Sequence, residues 1–166
     1  MAGEAAKVVH EFAPLFDKGS KVLVLGTIPS PKSREQGFYY GHPRNRFWKV
    51  AARVFGEPEP VTIAEKKVLA ARNHMAIWDV LASCVIQGAE DASIREPVAN
   101  DLDVILQKAD IRAIFTTGKK AADLYRKYCE PRYGRPCIML PSTSPANCRM
   151  GEDELVARYR VLRDFV

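Results

Sequence analysis

The sequence predicts an α/β fold built on a mostly parallel sheet. Four short apolar runs stand well apart, and amphipathic helical periodicity fills the intervals between them. Near-continuous apolar runs are what strands covered on both faces require, whereas half-exposed strands alternate. The 166 residues, 47% of them apolar, suffice for one domain spanning 1–166 with a sizeable core, and no linker, repeat or low-complexity tract divides it.

Met1 to Lys7 is small and polar, so residues 1–5 are expected to fray. Helical spacing covers Ala6–Phe16. The first strand, Lys21–Thr27, runs into the turn Gly26-Thr27-Ile28-Pro29-Ser30. After a loop, Arg46–Phe55 is amphipathic, with Phe47, Val50, Ala51, Val54 and Phe55 on one face. Thr62 and Glu65 make a capping box for a helix to about Asn73. Met75–Val80 is the second strand, and Asn100 with Asp103 can cap a helix that reaches Ala109. Ala113–Thr117 and Cys137–Leu140 complete the strands, on either side of a helix over Lys119–Cys129. The last helix, Glu152–Phe165, opens with three acids, as the helix dipole favours.

No apolar run approaches the ~20 residues of a membrane span, and no secretory pattern opens the chain. A cytoplasmic protein is expected, with no membrane partner. The four cysteines, at 84, 129, 137 and 148, lack metal-ligand spacing, so they read as free thiols with no metal or cofactor. The first turn has neither the Gly-Lys-Ser/Thr of a P-loop nor spaced dinucleotide-site glycines. Charge is uneven. Gln36 to Gly56 holds no acid but has Arg44, Arg46, Lys49 and Arg53; Pro131 to Gly151 holds none but has Arg132, Arg135 and Arg149. Both windows border loops that follow strands, and cations without carboxylates mark a phosphate-binding surface.

Ligands of open α/β sheets bind beyond the carboxyl ends of the strands, which aligns Thr27–Asn45, Asp79–Cys84 and Pro141–Arg149 along one rim. The densest segment there is Phe38-Tyr39-Tyr40-Gly41-His42-Pro43-Arg44-Asn45-Arg46-Phe47-Trp48. Its rings can stack a nucleobase, its arginines can hold phosphates, and Asn45 can act on a bond.

Together with Pro141-Ser142-Thr143-Ser144-Pro145-Ala146-Asn147, these motifs resemble the uracil-DNA glycosylase superfamily, and within it most closely the hypoxanthine-DNA (deoxyinosine) glycosylases. The resemblance implies a three-layer α/β/α sandwich around a four-stranded parallel sheet. It implies monofunctional excision of a deaminated base from DNA, most simply hypoxanthine, by a monomer working on the nucleoid. Uracil- or xanthine-excising enzymes, a non-catalytic lesion-binding module, and an unrelated small-molecule α/β enzyme with negligible affinity for DNA are the competing readings. Many relatives place Asp or Asn before the first-motif proline to position water; Ile28 stands there and cannot. Ser142 takes the place of a histidine that helps the base depart in relatives.

What remains falls to other residues. Asn45 matches the catalytic asparagine of the hypoxanthine group, where its carbonyl can orient water or stabilise a sugar cation; it can equally cap the following helix. Tyr40 is the expected stacking ring, with Phe38 and Tyr39 either sharing that role or packing in the core. Asp79 can accept N1–H of hypoxanthine or cap a turn. Ser30, Ser33, Lys32, His42, Arg44 and Arg46 are candidates for holding DNA, as are Ser144, Asn147 and Arg149. Lys32 reads as a solvated phosphate contact rather than a Schiff-base lysine.

Overall fold

The computed structural model describes residues 4–166. In chain order the elements are β1 (Ala5–Val9), β2 (Val22–Gly26), α1 (Pro31–Gln36), α2 (Phe47–Phe55), α3 (Ile63–Arg72) and β3 (Met75–Asp79). There follow β4 (Leu81–Gln87), β5 (Glu90–Ala99), α4 (Asp103–Leu106), β6 (Ala113–Thr117) and α5 (Lys119–Tyr128). The chain closes with α6 (Glu130–Tyr133), β7 (Cys137–Leu140), α7 (Glu152–Tyr159) and a 3-10 turn over Arg160–Asp164.

The four expected strands form one parallel sheet of order β3-β2-β6-β7. Central β2 is wholly buried at Val22, Leu23, Val24 and Leu25, which explains its unbroken apolar run. From β2 to β3 and from β6 to β7 the chain advances outward in opposite directions. Right-handed crossovers then put α2 and α3 on one face and α5 on the other, giving three layers. The order reverses between β2 and β6, and a crevice opens there at the carboxyl ends. Among the described residues no helix is long and apolar enough to cross a membrane.

A second sheet was not expected. β1, β4 and β5 pair antiparallel in the order β1-β4-β5. β3 leads straight into it, because Val80 and Leu81 still donate their N–H groups to Gly26 and Thr27 (2.8 and 3.0 Å) before the chain turns away. Asn100 fastens that corner. Its Nδ2 donates to the carbonyls of Asp79 (2.9 Å) and Leu81 (3.1 Å), and its own N–H donates to Val80 (2.8 Å).

Several expectations are corrected. The helix over Ala6–Phe16 is absent; Ala5–Val9 pairs residue for residue with β4, and only Val8 in it is buried. Adjacent β-branched valines and Pro14 oppose a helix there. Of the residues expected to fray, Ala5 is paired with Gln87, while residues 1–3 lie outside the described residues. Asn100 caps no helix, and α4 is a single turn ending at Leu106, where Asp101 rather than Asp103 accepts a backbone N–H. The capping box of Thr62 and Glu65 is present as expected. The last helix gives way to a 3-10 turn at Arg160. Inside the long loop after β2, Pro31 opens the short α1, capped by the Ser30 hydroxyl accepting the Ser33 N–H (3.1 Å).

Candidate active site

The loops at the carboxyl rim enclose a cavity of about 580 Å³, large enough for a nucleoside. Gly26, Asp79 and Thr117, at the ends of β2, β3 and β6, form its floor. Ile28, Tyr40, His42 and Asn45 wall it on one side and the loop from Ser142 to Asn147 on another. The third wall is the tip of the β4–β5 hairpin, Gly88 and Ala89.

Asp79 is buried, and its Oδ2 accepts from His10 Nε2 at 2.7 Å. The imidazole arrives from the chain just after β1, with only 3% of its side chain exposed. Burial raises the Asp79 pKa above the ordinary 3.8, and the hydrogen bond from His10 opposes that rise. Gly26 leaves room for it, since a Cβ there would lie 2.5 Å from Asp79 Oδ1 and push the carboxyl aside.

Tyr40 adopts φ +54°, a left-handed conformation that a bulky residue rarely takes. Three contacts hold it. Its ring stacks on Phe47 with centroids 4.0 Å apart, its hydroxyl meets Thr117 Oγ1 at 3.3 Å, and the next N–H, of Gly41, donates to Ser33 Oγ (3.0 Å). One face of the phenol is thus backed by the core while the residue lines the cavity. Burial and the nearby Asp79 keep the hydroxyl protonated, with its pKa well above the ordinary 10.0.

Asn45 both caps a helix and lines the cavity. Its Oδ1 accepts the Phe47 N–H (2.9 Å), which fixes the amide's orientation, and also the hydroxyl of Thr143 (2.8 Å). Both carbonyl lone pairs are therefore occupied. The Nδ2 group has no partner among the described residues. The carbonyl expected to orient water or meet a sugar cation is engaged by Phe47 and Thr143 in this structure.

The loop after β7 is laced to the loop after β2. Arg46 donates from Nη1 to Met150 O (2.6 Å) and from Nη2 to Asn147 O (2.8 Å), and its N–H donates to Thr143 O (3.1 Å). Ser142 Oγ accepts the Ser144 N–H, and Asn147 Nδ2 donates to Ser142 O. Arg46 is thus an internal clamp rather than an outward-reaching DNA contact. Ser33 is buried and holds Gly41, so it too is internal.

Other expectations separate. Phe38 is buried against Trp48, in near-parallel planes, and does not line the cavity; its base-binding role is withdrawn. Lys32 is exposed on α1, 3.3 Å from Glu35, and is absent from the lining. His42 accepts the Arg44 N–H at Nδ1 (3.0 Å), which leaves Nε2 as the protonated nitrogen of its neutral form. The acid-free windows are not uncompensated. Arg53 pairs with Glu152 and Asp153 at the start of α7, Lys49 lies 3.7 Å from Glu152, and Arg132 pairs with Asp101. Arg44 and Arg149 are exposed, and their guanidinium groups have no polar partner among the described residues. His10, Thr143, Thr117 and the hairpin tip are site components that sequence reading missed. For His10 the signal lay in a polar residue directly after the apolar Val8-Val9 pair; Thr143, between Ser142 and Ser144, carries no such signal.

Fold and cavity together define a class: an α/β/α protein with a nucleoside-sized pocket, lined by a ring, an amide and a carboxyl, at the mouth of a parallel sheet. The chain matches the uracil DNA glycosylase superfamily over residues 13–165 and belongs to it. A Methanosarcina acetivorans protein named hypoxanthine DNA glycosylase is 30% identical over 147 residues, covering 86% of this chain and 90% of that one. A Methanosarcina barkeri protein of the same name is 28% identical over 114 residues, or 68% and 72% of the two chains. The solution NMR structure of a Methanosarcina acetivorans protein, provisionally assigned as a uracil DNA glycosylase, superposes with a TM-score of 0.77 at 29% identity. It covers 92% of this chain and 97% of its own.

Proposed function

We propose that the protein is a monofunctional DNA glycosylase that excises hypoxanthine from deoxyinosine in DNA, leaving an abasic site. The observation that carries this reading is the buried Asp79 acceptor on the floor of a ring-walled pocket. The names of the two Methanosarcina relatives support it. A target base inside a duplex must leave the stack to be reached, and a flipped purine would lie against Tyr40, whose far side Phe47 supports. Stacking on such a ring is worth ~1–3 kcal/mol per base.

Asp79 accepts the N1–H that deamination creates. Adenine lacks that proton, so the carboxylate separates the lesion from its parent base. Asn45 Nδ2 donates to the departing purine as negative charge gathers on it, the help that Ser142 in place of histidine does not give. Ile28 can take no proton, so the bond from C1′ to N9 breaks first and its electron pair leaves with the base. Water then adds to the oxocarbenium carbon and releases a proton to solvent. Arg44 and Arg149, at the rim, hold phosphates.

The test is an excision screen on single-lesion duplexes carrying hypoxanthine, uracil or xanthine. Alkali-labile sites should form at hypoxanthine first. Robust release of uracil with none of hypoxanthine would reject the reading, as would tight lesion binding without cleavage under single-turnover conditions.

A further inference from the structure

The mechanism above leaves unused a buried titratable group in contact with Asp79. His10 lies upstream of the residues that match the superfamily, 13–165, and reaches a residue 69 positions away. Its ring is surrounded by Phe12, Tyr39 and Trp78, with centroids 5.8, 5.9 and 6.3 Å away. An imidazole in so apolar a setting has lost its water, and its polar contact to Asp79 is what compensates. A structural histidine would serve equally well against a backbone carbonyl. This one is aimed at the one carboxyl on the cavity floor.

The consequence follows from the two forms of a carboxyl group. Ionised, it only accepts. Protonated, it offers one donor beside one acceptor. That second pattern admits adenine, whose N1 accepts and whose N6 donates, as well as the N1–H and O6 of hypoxanthine, so it no longer separates the two. The first matches hypoxanthine, whose N1 donates. A buried carboxyl without a donor drifts toward the protonated form. The remaining titratable groups facing Asp79 are the phenols of Tyr39 and Tyr40, both held neutral by burial and by Asp79 itself. Neither supplies a positive charge, and the Tyr39 hydroxyl donates to Ala13 O instead (2.9 Å).

We propose that His10 is a positioning residue that determines specificity: by donating Nε2–H to Asp79 it keeps the carboxyl an acceptor, so that the site takes a deaminated purine and refuses adenine. This rests on the reading of Asp79 as the base-edge acceptor. It assigns to the β1 end of the second sheet a part in base selection, although no atom of His10 need touch the base.

The experiment is competitive binding of duplexes that differ at one nucleotide, uncleavable 2′-fluoro-deoxyinosine or its deoxyadenosine counterpart, across a pH series. Wild type should prefer the inosine duplex and lose that preference on acidification. His10→Phe keeps the ring and removes the donor, and should lower the preference by about tenfold and move its loss to higher pH. His10→Leu repeats the test with different packing. His10→Gln restores a neutral N–H donor and should restore discrimination. Asp79→Asn mimics the protonated acid, which pairs with either base edge, and should lose the preference at every pH. Folded His10→Phe and His10→Leu proteins with wild-type preference and pH dependence would overturn the proposal, as would a flat wild-type profile. An unchanged preference in Asp79→Asn would instead remove Asp79 itself from base reading, a failure distinguishable from that of His10.

Discussion

At the scale of single residues, Asn45 holds two roles that can be separated. Its carbonyl oxygen serves the fold, taking the Phe47 N–H and the Thr143 hydroxyl, while the proposed function gives its amide nitrogen the departing base. Asn45→Asp keeps an oxygen that accepts from Phe47 and Thr143 and replaces the amide donor with a second, charged oxygen. The expected outcome is a thermal midpoint close to wild type with single-turnover excision slower by about a hundredfold or more, the scale on which a lost transition-state donor is felt. Asn45→Ala should lose stability and rate together, because the helix cap goes with the amide. An Asp variant that melts normally and cuts normally would return Asn45 to the status of a cap. Motif and spacing in the sequence point to Asn45, Tyr40 and Asp79, all of which the cavity gathers. They do not reveal which atom of Asn45 faces inward. That depends on Thr143, which lies 98 positions away and whose hydroxyl no local pattern distinguishes from an ordinary loop threonine.

At the scale of elements, the site depends on how β3 leaves its sheet. Asp79 is the last residue of that strand, and Asn100 pins the carbonyls on both sides of the bend. Asn100→Ala would strand two buried carbonyls, so a loss of roughly 1–3 kcal/mol is expected in urea unfolding. Excision should fall by more than stability alone requires, since the backbone that carries Asp79 loses its anchor. Gly26→Ala tests the neighbouring strand. The new methyl group must displace the Asp79 carboxylate, while the strand itself tolerates alanine, so base discrimination should fail in a protein that still folds. Competition between inosine and adenosine duplexes reads this, and an unchanged ratio would show that the carboxylate can yield without consequence. The parallel sheet was legible because burial on both faces forces continuous apolar runs. The antiparallel sheet was not. β5 is largely exposed along Glu90–Ala99 and contains Pro97, and bulges interrupt its pairing with β4, so no two-residue alternation survives. Its two-residue turn, Gly88-Ala89, also lacks the Asn-Gly or Asp-Gly signal of a hairpin.

At the scale of the whole molecule, a formal charge of +5 overstates the field that DNA would meet. Several cations of the two acid-free windows are engaged with acids brought from elsewhere in the chain, notably Glu152 and Asp153 at the start of α7. Proximity in sequence predicted a broad basic surface; folding leaves a narrower one. Arg44 stands between His42 and Asn45 on one lip of the cavity, and Arg149 lies two residues beyond Asn147 on the other. In the proposed function these two cations grip the phosphates on either side of an extruded nucleotide. Each phosphate neutralised releases counterions and adds about 0.9 to the slope of log affinity against log salt. Arg44→Gln and Arg149→Gln should therefore each lower that slope by about one, and the double variant by about two. Neither should alter the preference among hypoxanthine, uracil and xanthine, because phosphates carry no base identity. Affinity titrations over a salt series, on lesion and undamaged duplexes alike, measure the slope directly. A double variant with the wild-type slope would mean that the phosphates are held by other groups, with the Asn147 loop and the His42 imidazole next to be tested. A slope that changes only on the lesion duplex would place these arginines on the flipped nucleotide's own phosphates rather than on the surrounding helix.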